Sequence, residues 1–510
     1  ALIGLSAPSC SDSMLDFSPT DSGSGKELLK SASTAITSVN GVYRSMWTAG
    51  WSTTANTHQC FGIAAYNLAL DCMADDLIMQ SQGNGWFWGD HCYNVKSNYT
   101  SSAFRSYDVW YANYKWIANV NYIIDAEPEM AGTEADVAYV AGQAYAIRAL
   151  CYLNLATWFS RAPYNSLTGA SRWNEPCVPV YTTGTSIDTG GQPRESLRTV
   201  YGRIDQDIDR AIELLEKARE TTLAENNKSH INLYVALGIK SRACLAEGDW
   251  DGAFKAAKRV IDEGGYAVGT KSDLTSGMNS LDKQNVMWGA GIQVADQAGG
   301  YAGFFTHMDN KEGAYAKSAP KLISKQLYNR ISATDIRRDW WDPSDKESPY
   351  VSKKFSFANV ASFLGDYIYM RVEEMYFTAA EAALRLDDLK SARELMNTVM
   401  AERDPGYSAN NRSGTLLGAT TTTWTGSFLE NILTHRRIEL WGEYGRLFDV
   451  RRLGQGIDRR TDDGFSEECI SMMNRRNVNI TKADTYDWVL TIPKAELDAN
   501  PNINEEDQNP

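Results

Sequence analysis

The sequence predicts a mainly α-helical fold, all-α in class, in which helices pack in pairs and long irregular loops and a few short strands connect them. Apolar residues recur at helical spacing in several long segments, among them residues 367–453. LAEGDWDGAFKAAKRVI, from Leu245, aligns without a gap on LRLDDLKSARELMNTVM, from Leu384. A helix, a tight acidic turn and a second helix form the unit of a tetratricopeptide-like array. We therefore predict a tetratricopeptide-like helix-pair scaffold.

The composition is that of a globular protein with an acidic surface. Apolar residues make up 43% and charged residues 22% of the 510 residues, and the net charge is −14. Because no basic stripe offsets this charge, the composition argues against nucleic acid and anionic membrane surfaces as partners. The 15 Trp and 26 Tyr offer flat apolar faces with a polar handle, which suit both interfaces and sugar faces.

The N-terminus has the pattern of a lipoprotein. Residues 1–9 are small and apolar, Cys10 follows them, and a Ser-, Asp- and Gly-rich run comes next. We predict that residues 1–9 are a signal-peptide remnant, that Cys10 is lipidated and that residues 10–25 are a flexible tether. The alternative is an ordinary chain end with a buried cysteine.

The rest of the chain, residues 26–510, is predicted to be a single domain. The helical scaffold covers about residues 26–263 and 367–455, and an irregular insertion covers about residues 264–366. This insertion is poor in helical periodicity and rich in glycine and aromatic residues. Insertions, more than the scaffold, usually carry binding in repeat arrays.

The eight cysteines include no CxxC pair and no metal-ligand spacing. Cys151 and Cys244 lie in apolar helical patterns and are predicted to be buried thiols. A disulfide among Cys60, Cys72 and Cys92 stays open.

The loop SQGNGWFWGDHCYNVKSNYT, residues 81–100, is the first candidate ligand site. Its glycines break regular structure, and it concentrates aromatic rings among polar side chains. Aromatic rings would stack on a ligand and polar groups would bond its hydroxyls, whereas the alternative is ordinary core packing. The candidate residues of this loop are Trp86, Trp88, Tyr93, Asn84, Asp90 and His91.

The insertion supplies a second group of candidates, namely Trp288, Tyr301 and Phe304. Their alternative role is a satellite hydrophobic cluster beneath a long loop.

Two arginines fall on an apolar helix face. Arg436 and Arg437 continue the stripe that begins at Leu433, and an unpaired buried charge is very costly. Glu381, set among alanines, is the kind of partner they need. We predict a structural ion pair between Glu381 and Arg436 or Arg437.

Five stretches resemble one family. MRVEEMYFTAAEAALRLDDLKSAR, HRRIELWGEYGRLFDVRRLG and WVLTIPKAELDANPNINEEDQNP are similar, in that order, to the C-terminal half of the SusD-like (SusD/RagB) outer-membrane nutrient-binding lipoproteins of Bacteroidetes. SCSDSMLDFSPTD and AYAIRALCYLNLATWFSRAPY resemble the N-terminal half of the same family. The resemblance spans nearly the whole chain.

The resemblance implies a scaffold of four tetratricopeptide-like pairs with an irregular ligand-binding side. It also implies a lipid-anchored protein on the cell surface, at the outer membrane. Such a protein forms the lid of a SusC-like TonB-dependent transporter. Members mostly capture oligosaccharides, and some handle peptides.

We therefore expect a non-catalytic glycan-binding protein with no cofactor and no metal; whether a calcium ion supports the site stays open. The alternatives are a peptide-capturing lid, a plain interaction scaffold and a glycoside hydrolase. The sequence has no HExxH, no GxSxG and no phosphate-cradling loop. A hydrolase would need paired carboxylates, and the candidate pairs are Asp75–Asp76, Glu373–Glu374 and Asp387–Asp388.

Overall fold

Helices make up 52% and strands 7% of the structure, which confirms the predicted mainly α-helical fold with a few short strands. The structure is a computed structural model, and it describes residues 25, 27–48, 57–94, 104–224, 228–294 and 302–510. The expectations for residues 1–9, Cys10 and Tyr301 lie outside the described residues.

The described helices comprise long scaffold elements and short connecting ones. In chain order they are α1 Ala32–Ser45, α2 Ile63–Met73, α3 Trp88–His91, α4 Phe104–Ala126, α5 Glu134–Phe159, α6 Leu197–Lys217, α7 Leu233–Glu247, α8 Trp250–Glu263, α9 Lys271–Leu274, α10 Phe304–Met308, α11 Ala314–Ser318, α12 Lys325–Tyr328, α13 Val372–Arg385, α14 Leu389–Ala401, α15 Phe428–Glu439, α16 Arg446–Leu453, α17 Glu467–Arg475 and α18 Lys494–Ala499. The 3₁₀ turns are Thr57–Gln59, Glu127–Glu129, Ala218–Glu220, Ile336–Trp340, Thr461–Asp463, Tyr486–Trp488 and Glu505–Asp507.

Side-chain caps define where several scaffold helices begin. The hydroxyl of Ser196 accepts a hydrogen bond from the N–H of Thr199 at the start of α6. Thr133 accepts one from Asp136 at the start of α5, and Asn232 caps α7 in the same way. Each cap satisfies a backbone donor that the helix leaves free, and it stabilises the helix by about 1 kcal/mol.

The internal repeat corresponds to two helix pairs, α7–α8 and α13–α14. In both pairs an aspartate side chain, Asp249 or Asp388, caps the second helix. The residue before each cap, Gly248 or Asp387, has a positive φ, of 77° and 62° respectively. Helix α13 packs against α8 as well as α14, so the two pairs stack on each other. The predicted helix-pair scaffold is thereby confirmed.

Among the described residues, six short strands connect different parts of the chain. They are β1 Leu77–Met79, β2 Val286–Ala290, β3 Lys321–Ile323, β4 Trp341–Asp342, β5 Val351–Ser352 and β6 Tyr367–Arg371. Strands β1, β3, β5 and β4 form an antiparallel four-stranded sheet in that order, and β2 pairs antiparallel with β6. The first sheet therefore holds residues 264–366 against the segment that follows α2.

Cys151 and Cys244 are buried thiols, as predicted. Cys60, Cys72 and Cys92 are also buried, and no disulfide joins these three to one another. Within the described ranges, no helix combines the length and apolar character that crossing a bilayer requires.

The predicted partner of Glu381 is wrong, although the predicted kind of interaction is present. The Glu381 carboxylate accepts two hydrogen bonds from Arg452, at 2.9 and 2.8 Å. Arg436 instead bonds Asp449 at 2.8 Å, and Asp449 also accepts from Arg452 at 2.7 Å. Arg452, on α16, reaches Glu381 near the end of α13, whereas Arg436, on α15, lies against an earlier part of α13, 3.2 Å from the Thr378 hydroxyl. All four charged side chains are buried.

Arg437 also differs from its predicted role. Its guanidinium binds Asp76 at 2.6 Å and Asp75 at 3.1 Å, and Arg446 approaches the same two carboxylates at 3.0 and 3.3 Å. These contacts join α15 and the start of α16 to the end of α2, more than 350 residues earlier. Arg437 therefore links the two halves of the chain.

Replacing Glu381 with Gln is expected to destabilise the protein by about 3 kcal/mol, because it removes the carboxylate that neutralises the buried Arg452. Asp449 still offsets part of that charge. Chemical denaturation at neutral pH measures the change in the free energy of unfolding. The control is Glu394→Gln, since Glu394 is exposed and lies 3.8 Å from the exposed Lys390. Equal stabilities of the two variants would contradict the buried-pair interpretation.

Stability is also expected to fall in acid, in part because of Glu381. Burial raises the pKa of Glu381, but Arg452 outweighs burial and holds the pKa below its ordinary value of 4.5. A carboxylate whose pKa is lower in the folded than in the unfolded protein stabilises the fold at pH values above its unfolded-state pKa. This stabilisation is lost as the pH falls from the unfolded-state pKa through the folded-state pKa. Between about pH 6 and pH 3, the unfolding free energy of Glu381→Gln should therefore decline less steeply than that of the wild type. Parallel pH profiles would refute this assignment.

Candidate functional site

Four of the six candidate residues in the loop predicted to bind ligand are packed into the core. Trp88 is 3% exposed, and Asp90, His91 and Tyr93 are fully buried. The Tyr93 hydroxyl donates to the carbonyl oxygen of Met73 at 2.5 Å. The binding roles predicted for Trp88, Asp90, His91 and Tyr93 are therefore wrong, because these side chains do not reach the surface.

Asp90 has a structural partner that explains its burial. Its two carboxylate oxygens accept hydrogen bonds from Arg105, at 2.9 and 3.0 Å, and neither side chain is exposed. Arg105 belongs to the first turn of α4, so this bidentate pair fixes the loop to that helix. His91 stacks on Phe465, with ring centroids 5.6 Å apart. Asp90 and His91 therefore have structural roles.

The two described candidates of the insertion are core residues as well. Trp288, on β2, is 1% exposed, and its indole N–H donates to the carbonyl of Ser229 at 3.2 Å. Phe304 packs in an aromatic group with Phe355 and Tyr367, at centroid distances of 5.1 and 6.0 Å. The binding roles predicted for Trp288 and Phe304 are wrong, since the hydrophobic cluster is their actual environment.

Among the described candidates for stacking, Trp86 remains partly exposed. Its indole stacks on the His58 ring, with centroids 4.8 Å apart and planes 18° apart, and meets the Tyr315 ring edge-on at 6.0 Å. The Tyr315 hydroxyl and Nδ1 of His58 share a hydrogen bond of 2.6 Å. We call Trp86, His58 and Tyr315 the Trp86 platform.

The platform is supported from the core. Nε2 of His307 lies 2.6 Å from the carbonyl oxygen of His58. Burial lowers the pKa of His307 well below its ordinary value, so its ring is neutral and donates this hydrogen bond. The His307 ring also stacks on Phe61 at 5.6 Å. The position of His58, and hence of the indole on it, is set by buried residues.

Asn84 lies beside the platform in an exposed turn. Its side-chain oxygen accepts a hydrogen bond from the Ser318 hydroxyl at 2.9 Å. Gly83 has a φ of 51°, and a Cβ there would lie 2.7 Å from the Ser318 carbonyl oxygen, so only glycine lets the turn approach α11 this closely. The predictions that Trp86 and Asn84 bind ligand are untested and stay predictions.

The sequence did not identify His58 and Tyr315 as parts of the site. They are 257 residues apart, and neither lies in a motif with binding chemistry. Tyr315 is on α11, in the part of the insertion that carries no periodic pattern. Only the tertiary fold brings these two residues together.

The carboxylate pairs considered for glycoside hydrolysis serve the scaffold. Asp75 and Asp76 are held by Arg437 and Arg446, as described above. Glu374 accepts two hydrogen bonds from Arg242, at 2.8 and 2.7 Å. Glu373 is equally buried, and Asp387 and Asp388 form the repeat turn. Among the described residues, no group of three or more His, Cys, Asp or Glu side chains is arranged to hold a metal ion.

Three solved structures from Bacteroides species have this fold. A SusD-like carbohydrate binding protein from Bacteroides vulgatus has a TM-score of 0.74 and 24% identity, over 94% of this chain and 98% of that chain. A SusD superfamily protein from Bacteroides thetaiotaomicron has a TM-score of 0.74 and 22% identity, over 94% and 100% of the two chains. Surface glycan-binding protein A from Bacteroides thetaiotaomicron, in complex with laminarihexaose, has a TM-score of 0.64 and 16% identity, over 94% and 99%. These similarities show the fold.

Family models match both halves of the chain. The model described as "SusD family" matches residues 315–510, and the model described as "Starch-binding associating with outer membrane" matches residues 34–245. No curated protein sequence matches the chain significantly. Because these two family models together match more than half of the chain, the chain belongs to the SusD-like family.

Proposed function

We propose that this protein is a non-catalytic glycan-binding lipoprotein that captures oligosaccharides and delivers them to a TonB-dependent outer-membrane transporter. The observation that carries the proposal is the Trp86 platform, a partly exposed indole fixed in place by His58 and Tyr315.

The chemistry of the platform suits a sugar ring. A pyranose has an apolar C–H face that an indole can cover, and its hydroxyls need hydrogen-bond partners at the edge of that face. Asn84 is an exposed amide in the adjoining turn and can both donate and accept. Because the indole is already held in one orientation, binding would order few additional side chains, and preorganisation of this kind favours affinity.

Relatives support this function. One family model is described as starch-binding and associating with the outer membrane, and one structural neighbour was solved with laminarihexaose. The three carboxylate pairs considered for hydrolysis serve the scaffold, which favours binding over hydrolysis at those positions. The anchor would be an acylated Cys10, joined to the domain by residues 10–25. Anchoring both the binding protein and its transporter in one membrane raises their effective concentration for each other.

Trp86→Ala is expected to weaken oligosaccharide binding by about tenfold or more, because it removes the stacking face. Isothermal titration against a panel of neutral and charged oligosaccharides, with peptides as a separate arm, measures the change. The control is Trp250→Ala, since Trp250 is a half-buried scaffold tryptophan packed against Arg385. Trp88→Ala is unsuitable as a site variant because Trp88 is buried in the core. Unchanged glycan affinity in Trp86→Ala would remove the platform from the site, and binding of peptides alone would replace the glycan proposal.

Cys10→Ala is expected to move the protein from the membrane fraction to the soluble fraction of the cells that make it, because the acyl anchor is lost. Fractionation and radiolabelling with palmitate measure this change. Ser11→Ala, which changes the neighbouring residue and keeps the thiol, is the control. Co-purification of the wild type with a TonB-dependent transporter tests the partner. Incorporation of labelled palmitate into Cys10→Ala would contradict the anchor proposal.

A further inference from the structure

A second aromatic surface lies on α4, apart from the Trp86 platform. An open cleft of about 470 Å³ runs between α4, the loop of residues 181–189 and α18. Ligand pockets usually have volumes of roughly 300–1,000 Å³. The residues of the cleft that matter here are Trp110, Tyr111, Tyr114, Lys115, Tyr181 and Glu496.

Three aromatic rings form one wall of the cleft. Trp110 and Tyr114 lie one helical turn apart on α4, with ring centroids 4.9 Å apart, and Tyr114 meets Tyr181 edge-on at 5.9 Å. Trp110 is only 6% exposed and packs on the Phe159 ring at 4.9 Å. The partly exposed rings of the wall and its surroundings, Tyr111, Tyr114 and Tyr181, are therefore the ones that a ligand can reach. The Tyr114 hydroxyl is tied to a loop carbonyl at 2.7 Å. The wall is therefore a rigid aromatic surface rather than a group of mobile rings.

The polar groups of the cleft have balanced charge. The Glu496 carboxylate accepts a hydrogen bond from the Trp110 indole at 3.3 Å and one from the Asn500 amide at 2.8 Å. The ammonium group of Lys115 lies 5.6 Å from the centroid of the Tyr111 ring. One anion and one cation leave the cleft without net charge in a chain whose net charge is −14. An uncharged ligand with many hydroxyls fits this arrangement better than a polyanion or a polycation does.

The loop that closes the cleft offers little to a peptide backbone. The carbonyls of Tyr181, Thr182 and Thr183 accept hydrogen bonds from scaffold side chains, at 2.8, 2.9 and 2.9 Å. The N–H of Gly184 donates to Asp125 at 2.7 Å. An extended peptide is captured chiefly through free backbone donors and acceptors along an edge. Because these backbone groups already have hydrogen-bond partners, the cleft presents aromatic faces and side-chain hydroxyls to a ligand.

We propose that this cleft is a second carbohydrate-binding site, which takes a short uncharged saccharide by stacking on the aromatic wall of α4. The inference rests on the proposed function and extends it, since two sites on one protein would hold two parts of a long glycan or two separate chains. Two linked sites raise the overall affinity for a polymer without any new contact at either site.

The test uses the full chain with Trp86→Ala, so that the platform contributes no binding. The probes are laminarihexaose, maltohexaose, cellohexaose and xylohexaose, and saturation-transfer NMR measures binding to each. We expect residual binding of at least one probe. Adding Ala118→Trp should weaken that binding by about tenfold or more, because Ala118 is half-exposed in the cleft and an indole would fill it. Adding Asn119→Trp, at the next position and outside the cleft lining, should leave it unchanged.

A second variant, Tyr111→Ala, covers the case in which Ala118→Trp does not fold, because it removes a half-exposed ring from the same cleft. It should lower the affinity several-fold. Equal binding by the Ala118→Trp and Asn119→Trp proteins, or unchanged binding by Tyr111→Ala, would overturn the second site. If the wild type binds a probe and Trp86→Ala binds none, the second site is wrong and the proposed function stands. If the wild type binds none of the four probes but binds another glycan at the platform, the second site is equally wrong.

Discussion

The carboxylate of Glu439 accepts hydrogen bonds from three arginines that come from three separate parts of the chain. Arg337 lies in the insertion, Arg371 ends β6 and Arg403 follows α14, and their nitrogens approach the Glu439 oxygens at 2.8 to 3.1 Å. None of the four side chains is exposed to a measurable extent. Because an uncompensated buried charge is so unfavourable, each of these segments has essentially one position in which its arginine is neutralised.

This requirement extends to the segments that support the candidate site. Lys354, also in the insertion, is buried and bonds Glu443 at 2.5 Å in the turn after α15. Lys354 and Arg337 therefore dock residues 264–366 onto the C-terminal scaffold helices. The same insertion carries His307 and Tyr315, which hold His58 beneath the indole of the Trp86 platform. The geometry of the platform thus depends on charge neutralisation in the core.

Local patterns in the sequence predicted local structure well. The repeat turn at Asp249 and Asp388 is readable because helix, turn and cap depend on residues only a few positions apart. The sequence alone does not identify the partner of Glu381, because several arginines lie on apolar helix faces. The choice of Arg452 depends on how α13 and α16 pack. For the site, the Gly- and aromatic-rich composition predicted an exposed loop, yet most of its rings are buried. Composition indicates which residues can bind a ligand, whereas exposure is a property of the tertiary fold.

Trp86 and Trp88 illustrate this difference, since they are two residues apart and have opposite environments. Phe87 between them has a φ of 61°, in the left-handed region that a bulky residue rarely adopts. This conformation is held by a hydrogen bond of 2.7 Å from its N–H to the Gln59 side chain and by an edge-on contact of its ring with His307 at 5.0 Å. Backbone strain of this kind persists where the surroundings over-determine it, commonly at functional sites. The reversal at Phe87 directs Trp88 into the core and leaves Trp86 partly exposed, so the buried residues on either side decide which tryptophan is available to a ligand.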